Sequence, residues 1–432
     1  MHFQADRESV LQHMIFVPLA TLLGRIITKG NLRLIDASQR IHEFGDGRGE
    51  PVTARLKDKW LGWQLAVNPS LYLGEAYMDG RFVMERGSIY DFLELVLSNA
   101  ENSKKSGWIH GENFMRRLAK PLQQLNNLTS SRKNVAHHYD INGTIYDLFL
   151  DRDRQYSCAY FDRDHMTLEE AQLSKKRHLA AKLLLEDGLS ILDIGSGWGG
   201  LGLFLAVQAD VNVTGVTLST EQLKISNDRV RKRGLQRSVR FEFRDYREID
   251  QRFDRIVSVG MFEHVGVTQY NQFFTKLSAL LRDDGIAVIH SIGRFDQPSV
   301  TNPFISKYVF PGGYIPALSE VFPAIEKSGL IVTDVEILRL HYAQTLRRWR
   351  ERFLESCKRD GGGLDPKFRR MWEFYLAGSE AAFRYQNLMV FQIQLAKLQT
   401  VVPLTRDYQY HAEAQMRRTH ATRTVPPRLA GE

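Results

Sequence analysis

From Leu189 onward, short apolar runs alternate with segments whose apolar positions recur at helical spacing, the pattern of buried strands joined by crossover helices. The runs predict strands at 190–194, 212–217, 239–244, 255–259, 286–291 and 331–338, with helices starting near Gly200, Ser219, Thr268 and Ala317. Two longer helices are expected at 342–358 and 366–386, broken by Gly361, Gly362 and Gly363, and 388–395 reads as a late strand completing the sheet. This is the signature of a doubly wound α/β domain, placed here at residues 137–405. Ahead of it, residues 1–115 hold Trp60, Trp63, Tyr72, Tyr77 and Phe82 among short apolar runs and predict a smaller α+β domain. Residues 116–136 read as a basic linker, and 406–432, poor in apolar residues and containing Arg417, Arg418, Arg423, Pro426 and Pro427, as a disordered tail. There is no internal repeat.

Composition narrows the class. A chain of 432 residues with 43% apolar content can bury a substantial core. Two cysteines, Cys158 and Cys357, are too few for a disulfide framework and point to a reducing compartment, with cytoplasm as the default. The apolar stretch 14–24, interrupted by Pro18 and followed by Arg25, is too short to span a bilayer and lacks the features of a secretory signal. The net charge of +8 favours anionic surfaces without choosing among phospholipid headgroups, nucleic acid and acidic small molecules. Part of it is local: Lys104, Lys105, Arg116, Arg117, Lys120, Arg132 and Lys133 face only Glu101 and Glu112 across 101–135, either as a lipid contact or as a solvated linker. The segment Arg347 to Arg352 has the same two readings, headgroup contact or salt-bridged face. No nucleic-acid-binding module is visible, and no metal site is expected.

The chemistry begins where the first strand turns into a helix through Asp193-Ile194-Gly195-Ser196-Gly197-Trp198-Gly199-Gly200. Glycines there let backbone approach a ligand, and the spacing Gly195, Gly197, Gly200 also fits a dinucleotide fingerprint, a weak signal alone. Asp193 shifts the balance toward S-adenosylmethionine, since a carboxylate engages a cationic amino-acid end and repels a pyrophosphate. The second strand ends Thr217-Leu218-Ser219 without the acidic residue that ribose binding often uses; Gln222 is the substitute. Asp245 and Tyr246 stand where an adenine amino group and ring face are expected, although Asp245 also reads as a plain turn cap.

Further stretches resemble one family, the cyclopropane-fatty-acyl-phospholipid synthases and the related mycolic acid methyltransferases. They are His138-Tyr139-Asp140-Ile141-Asn142, Tyr156-Ser157-Cys158-Ala159-Tyr160-Phe161, Leu168-Glu169-Glu170-Ala171-Gln172 and the glycine loop. Val216-Thr217-Leu218-Ser219, Ser258 through Gly266, His290-Ser291-Ile292-Gly293 and Lys307-Tyr308-Val309-Phe310-Pro311 extend the match, which covers roughly 135–396 in one order and spacing. The resemblance implies a class I S-adenosylmethionine-dependent methyltransferase with a Rossmann-like, seven-stranded sheet, and a small N-terminal domain that helps lipid capture. It places Tyr156 and Ser157 at the donor's amino-acid end, and Gly195, Gly197 and Gln222 around its methionine and ribose portions; Thr217 is a further residue expected to bind the donor. It also implies a bicarbonate ion held by Cys158, Glu263, His290, the backbone of Ile292, and Tyr342.

The reaction so implied has an alkene attack a sulfonium methyl, after which a proton leaves the added methyl and a cyclopropane closes. Water must be kept from the intermediate cation. Glu263 would orient His290, while His290 and Tyr342 donate to the ion that removes the proton; the ring faces of Tyr160, Tyr308 and Phe310 would each stabilise the cation by about 0.5–2 kcal/mol. Direct transfer needs no covalent intermediate, so Cys158 lines the ion or packs. Glu263-His264 has a plainer reading too, a helix-start carboxylate beside an exposed imidazole. Ser196 and Ser379 stand where some relatives carry cysteine. An unsaturated phospholipid in a bilayer, peripheral contact with the inner face of the cell membrane, and a homodimer complete the expectation. A methyl-branched or methylene product, nitrogen methylation, and a non-catalytic binding protein on the same fold remain alternatives.

Overall fold

The computed structural model describes residues 16–102, 144–359 and 363–424, and the chain divides into two units. Among the described residues, the first takes 16–102, 299–311, 342–359 and 363–388. Its sheet has the order β2-β1-β3-β4, from β1 (Leu32–Ile35), β2 (Ile41–Phe44), β3 (Val52–Leu56) and β4 (Phe82–Arg86). Leu32, Leu34, Ala54, Leu56 and Phe82 form its buried face. Helix Pro366–Tyr385 packs on helices Pro69–Met78 and Ile89–Asn102, burying Trp372, Tyr375 and Phe374. Gly74 lies so near Phe304 that a Cβ would stand 2.4 Å from the ring. A single cut near residue 115 therefore does not describe these contacts: the late helices, read from sequence as part of the catalytic domain, bury their apolar stripes in this unit.

The second unit holds β5 (Ser190–Ile194), β6 (Asn212–Thr217), β7 (Val239–Phe243), β8 (Phe253–Val259), β9 (Leu281–Arg294), β10 (Ile331–Ile337) and β11 (Leu388–Ala396), in the order β10-β11-β9-β8-β5-β6-β7. Side chains alternate between two covered faces: Leu192, Ile194, Ile256 and Ile289 join one apolar cluster, while Ile191, Val257 and Val288 join the other. Each such side chain, withdrawn from water, stabilises by about 1.5–3 kcal/mol. β5 pairs in parallel with both β6 and β8, so the strand order reverses at β5 and opens a crevice at the carboxyl ends of the strands.

β9 runs well beyond the expected 286–291, because its ladder with β8 starts at Leu281 opposite Phe253 and its far end bridges Arg294 to Ala317. The expectation of a disordered tail from 406 is corrected: helix Asp407–Thr424 packs on helix Leu168–Lys182. Polar anchors replace the missing apolar ones. Glu413 accepts from His178 at 2.7 Å, Arg406 and Gln409 reach Asp334, and Met416 packs against the core. The basic residues at 104–133 and the chain after 424 lie outside the described residues. No described helix is long and apolar enough to cross a membrane.

Candidate active site

The crevice at the ends of β5, β6 and β7 is a pocket whose lining includes all nine residues expected to hold the donor: Tyr156, Ser157, Asp193, Gly195, Gly197, Thr217, Gln222, Asp245 and Tyr246. Gly195 (φ +80°) and Gly197 (φ +53°) take left-handed backbone that disfavours other residues, and a Cβ on Gly195 would also stand 2.8 Å from Met261. The loop is held from behind, where Arg229 donates to the Trp198 carbonyl at 2.7 Å and to Asp153.

Side chains then shape the walls. Thr217 donates to Gln222 Oε1 at 3.0 Å, and Ser219 caps the following helix by accepting from Gln222 N. Asp245 serves both its readings: it lines the pocket, and its side chain accepts from Arg247 N and from the Arg247 guanidinium at 2.9 and 2.7 Å. Asp193 is 2% exposed with Oδ2 lacking any partner, and burial pushes its pKa up to about 7. An unpaired buried carboxylate beside an open glycine turn fits the ammonium end of S-adenosylmethionine.

Sequence reading missed Lys175 and His264, both in the pocket lining. Lys175 donates at 2.8 Å to Gln155 Oε1 and to Ser157 Oγ, and burial depresses its pKa to about 8. The available signal was spacing: Gln172, Lys175 and Lys182 fall with Leu168 and Leu179 on the buried face of helix Leu168–Lys182. His264, read as exposed, is half-buried, and desolvation lowers its pKa to about 4, leaving a neutral ring.

Four of the five residues expected at the ion belong to this unit; Tyr342 belongs to the first unit, where its ring meets Phe383 at 4.7 Å and Trp349 at 5.8 Å. The arrangement of the four differs from the expectation in its bonding. Glu263 does not bond the His290 ring: its Oε1 accepts from Ile292 N at 2.7 Å, so the N–H expected to face an ion is given to the carboxyl. Glu263 Oε2 is buried and without a partner, and burial raises the pKa to about 7. His290 is positioned instead by Gln392, whose side-chain amide lies 3.1 Å from Nδ1. Burial holds His290 well below its ordinary pKa. Cys158 is buried with Sγ 3.3 Å from the Ala159 carbonyl. A neutral imidazole N–H and a carboxyl poised near neutrality fit a small oxyanion. Gly260, Met261 and His264 line the donor pocket, so the turn carrying Glu263 is also a wall of that pocket.

The aromatic expectation is revised. Tyr160 stacks on His178 at 4.2 Å and His341 at 4.9 Å, so its ring is taken up within the protein. Tyr308 and Phe310 belong to the first unit, where Tyr308 bonds Glu75 at 2.8 Å and Phe310 meets Tyr375. Arg347 and Arg348 pair with Glu351, and Arg350 with Glu380, the salt-bridged reading of that segment.

Comparison with known proteins agrees with this geometry. The family model described as mycolic acid cyclopropane synthetase matches residues 126–393. A probable fatty acid methyltransferase of Pseudomonas putida is 36% identical over 379 residues, covering 85% of this chain and 91% of its own. The cyclopropane-fatty-acyl-phospholipid synthase of Escherichia coli K12 is 34% identical, covering 80% of this chain and 88% of its own. The structure of the mycolic acid cyclopropane synthase CmaA1 complexed with SAH and CTAB, 34% identical, superposes with a TM-score of 0.57 over 61% of this chain and 97% of that one. With its glycine turn, its buried Asp193 and these likenesses, the chain belongs to the mycolic acid cyclopropane synthetase family and is an S-adenosylmethionine-dependent methyltransferase.

Proposed function

We propose that the protein transfers a methylene group from S-adenosylmethionine to the cis double bond of an unsaturated phospholipid acyl chain, forming a cyclopropane. The carrying observation is Glu263, whose unpartnered Oε2 and near-neutral pKa stand on the turn that also walls the donor pocket. The donor supplies an electrophilic methyl on sulfonium. Transfer would break the sulfur–methyl bond, releasing S-adenosylhomocysteine, form a carbon–carbon bond to the alkene and leave a cation on the chain; loss of a proton from the new methyl would then close the ring. Glu263, His290 and Cys158 would hold a bicarbonate ion, which would supply the base for that proton. The neutral His290 would donate a ring N–H to that anion, and Glu263, which holds Ile292 N through Oε1, would present Oε2.

The E. coli relative's name supports the cyclopropane, while that of the P. putida relative favours a second reading, a methyl-branched fatty acyl product. Incubation with labelled donor and vesicles of monounsaturated phosphatidylethanolamine, followed by lipid mass spectrometry, decides between them. A gain of one CH₂ with loss of the alkene supports the ring, whereas a retained alkene in a methylated chain supports the second reading. Labelling by Glu263→Ala equal to the native chain removes Glu263 from the reaction.

The lipid must be reached at a bilayer, on this reading the inner face of the cell membrane. In the first unit, Trp60, Trp63 and Val67 are exposed at 58%, 51% and 50% on one side of helix Leu61–Val67, with Lys57 and Lys59 beside them. Indole rings flanked by cations suit the boundary of anionic lipid. Trp60→Ser with Trp63→Ser should weaken sedimentation with phosphatidylglycerol vesicles without changing donor affinity.

A further inference from the structure

We infer that Lys175 receives the α-carboxylate of the methyl donor, so that Lys175 and Asp193 together hold the two opposite charges of its amino-acid end. The inference rests on the donor being S-adenosylmethionine and goes beyond it in naming how the zwitterion is read. Lys175 is 1% exposed, and both of its acceptors, Gln155 Oε1 and Ser157 Oγ, are neutral. Among the described residues no carboxylate oxygen lies within 4.0 Å of its ammonium, and one of its three N–H donors is left over. Asp193 has the complementary defect, a buried Oδ2 without a donor.

Burying a charge is costly unless it is paired and hydrogen-bonded. Burial outweighs the attraction of the buried Asp151 for Lys175 and of Lys175 for Asp193, and drives both groups toward neutrality, Lys175 down to about 8 and Asp193 up to about 7. Both line one pocket. A ligand bringing an ammonium and a carboxylate on one carbon repairs both defects at once, which a nucleoside alone does not. The other cations in the lining are already committed. Arg154 is held by Asp147 at 2.7 and 2.6 Å, Arg247 by Asp245, Arg244 by the Glu248 carbonyl and Glu242, and His264 is neutral.

Calorimetric titration of the full chain with S-adenosylhomocysteine and with its decarboxylated counterpart, S-adenosyl-3-thiopropylamine, tests this. The native chain should prefer the carboxylated probe by roughly 10- to 100-fold. Lys175→Met should lose that preference by weakening S-adenosylhomocysteine alone, with the decarboxylated probe changed by less than about 2-fold, as expected for loss of a single charge-assisted contact. Equal weakening of both probes, or of neither, overturns the inference. Should thermal unfolding show that Lys175→Met does not fold, Lys175→Arg decides. The native preference should fall as pH rises and Lys175 loses its proton, while the arginine variant keeps its preference; identical pH profiles overturn the inference. A native chain that binds neither probe overturns the donor assignment itself.

Discussion

Two histidines lie buried in the catalytic unit, His178 at 4% exposure and His290 at 2%, and they are pushed in opposite directions. Burial alone would lower both. At His178 it is outweighed by Glu336 and Glu413, which engage Nε2 at 2.6 Å and Nδ1 at 2.7 Å and raise the pKa above its ordinary value. At His290 burial is joined by the charges of Lys175, Lys182 and His178, and the pKa falls well below. Two carboxylates make one ring a cation that cements a helix; an amide partner leaves the other neutral, with a proton to offer. Partner identity, not depth of burial, separates the structural histidine from the one suited to chemistry.

The largest effect that sharpens this contrast is expected at His290. His290→Gln should lower kcat by about 10²- to 10⁴-fold with S-adenosylhomocysteine affinity preserved; retained turnover would make His290 structural as well. His178→Ala should do the reverse. It leaves Glu413 and Glu336 facing each other across a cavity and should destabilise the fold by about 3–5 kcal/mol in denaturant titration, with donor affinity little changed.

A pH series should produce a smaller change. The raised pKa of His178 gives a contribution fully present below 6.5 and lost as pH rises through its folded value. Glu336 acts oppositely: burial would raise it, but His178 and Lys182 bring it down to about 2, so its contribution is present above 4.5 and lost as pH falls through about 2. Lys182, Asp334, Arg406, His341 and Tyr160 also face this cluster. The protection of amides in helix Asp407–Thr424, taken relative to the intrinsic exchange rate at each pH, should be greatest between those limits and should fall on either side of them. The smallest effect is expected at Ser196, whose Oγ is buried without a partner. Ser196→Cys should change donor affinity by less than about 2-fold while making it sensitive to thiol reagents.

The donor pocket was legible because backbone builds it. A glycine turn after a buried strand leaves a local signature, and Asp193, Gln222, Asp245 and Tyr246 sit at fixed offsets from strand ends. The His178 cluster was not legible, since it joins residues from 178, 336 and 413 whose attraction is seen only after the sheet has formed. The tail failed for the same reason. Low apolar content argues for disorder when hydrophobic burial is the only anchor considered, and here ion pairs and one methionine suffice. Lys175 was passed over because a lysine in a charged run usually points to water; its burial depends on the helix face that Leu168 and Leu179 select.

The position of β11 has a consequence for synthesis. This strand is inserted between β9 and β10, and the first unit likewise draws in 342–388. A nascent chain emerging from the ribosome therefore exposes an unpaired edge of β9 until residue 396 is free, and neither unit can close before these later segments have emerged. The first unit cannot complete itself before the second has begun, so its yield should respond to chaperones that shield bare sheet edges until β11 has emerged.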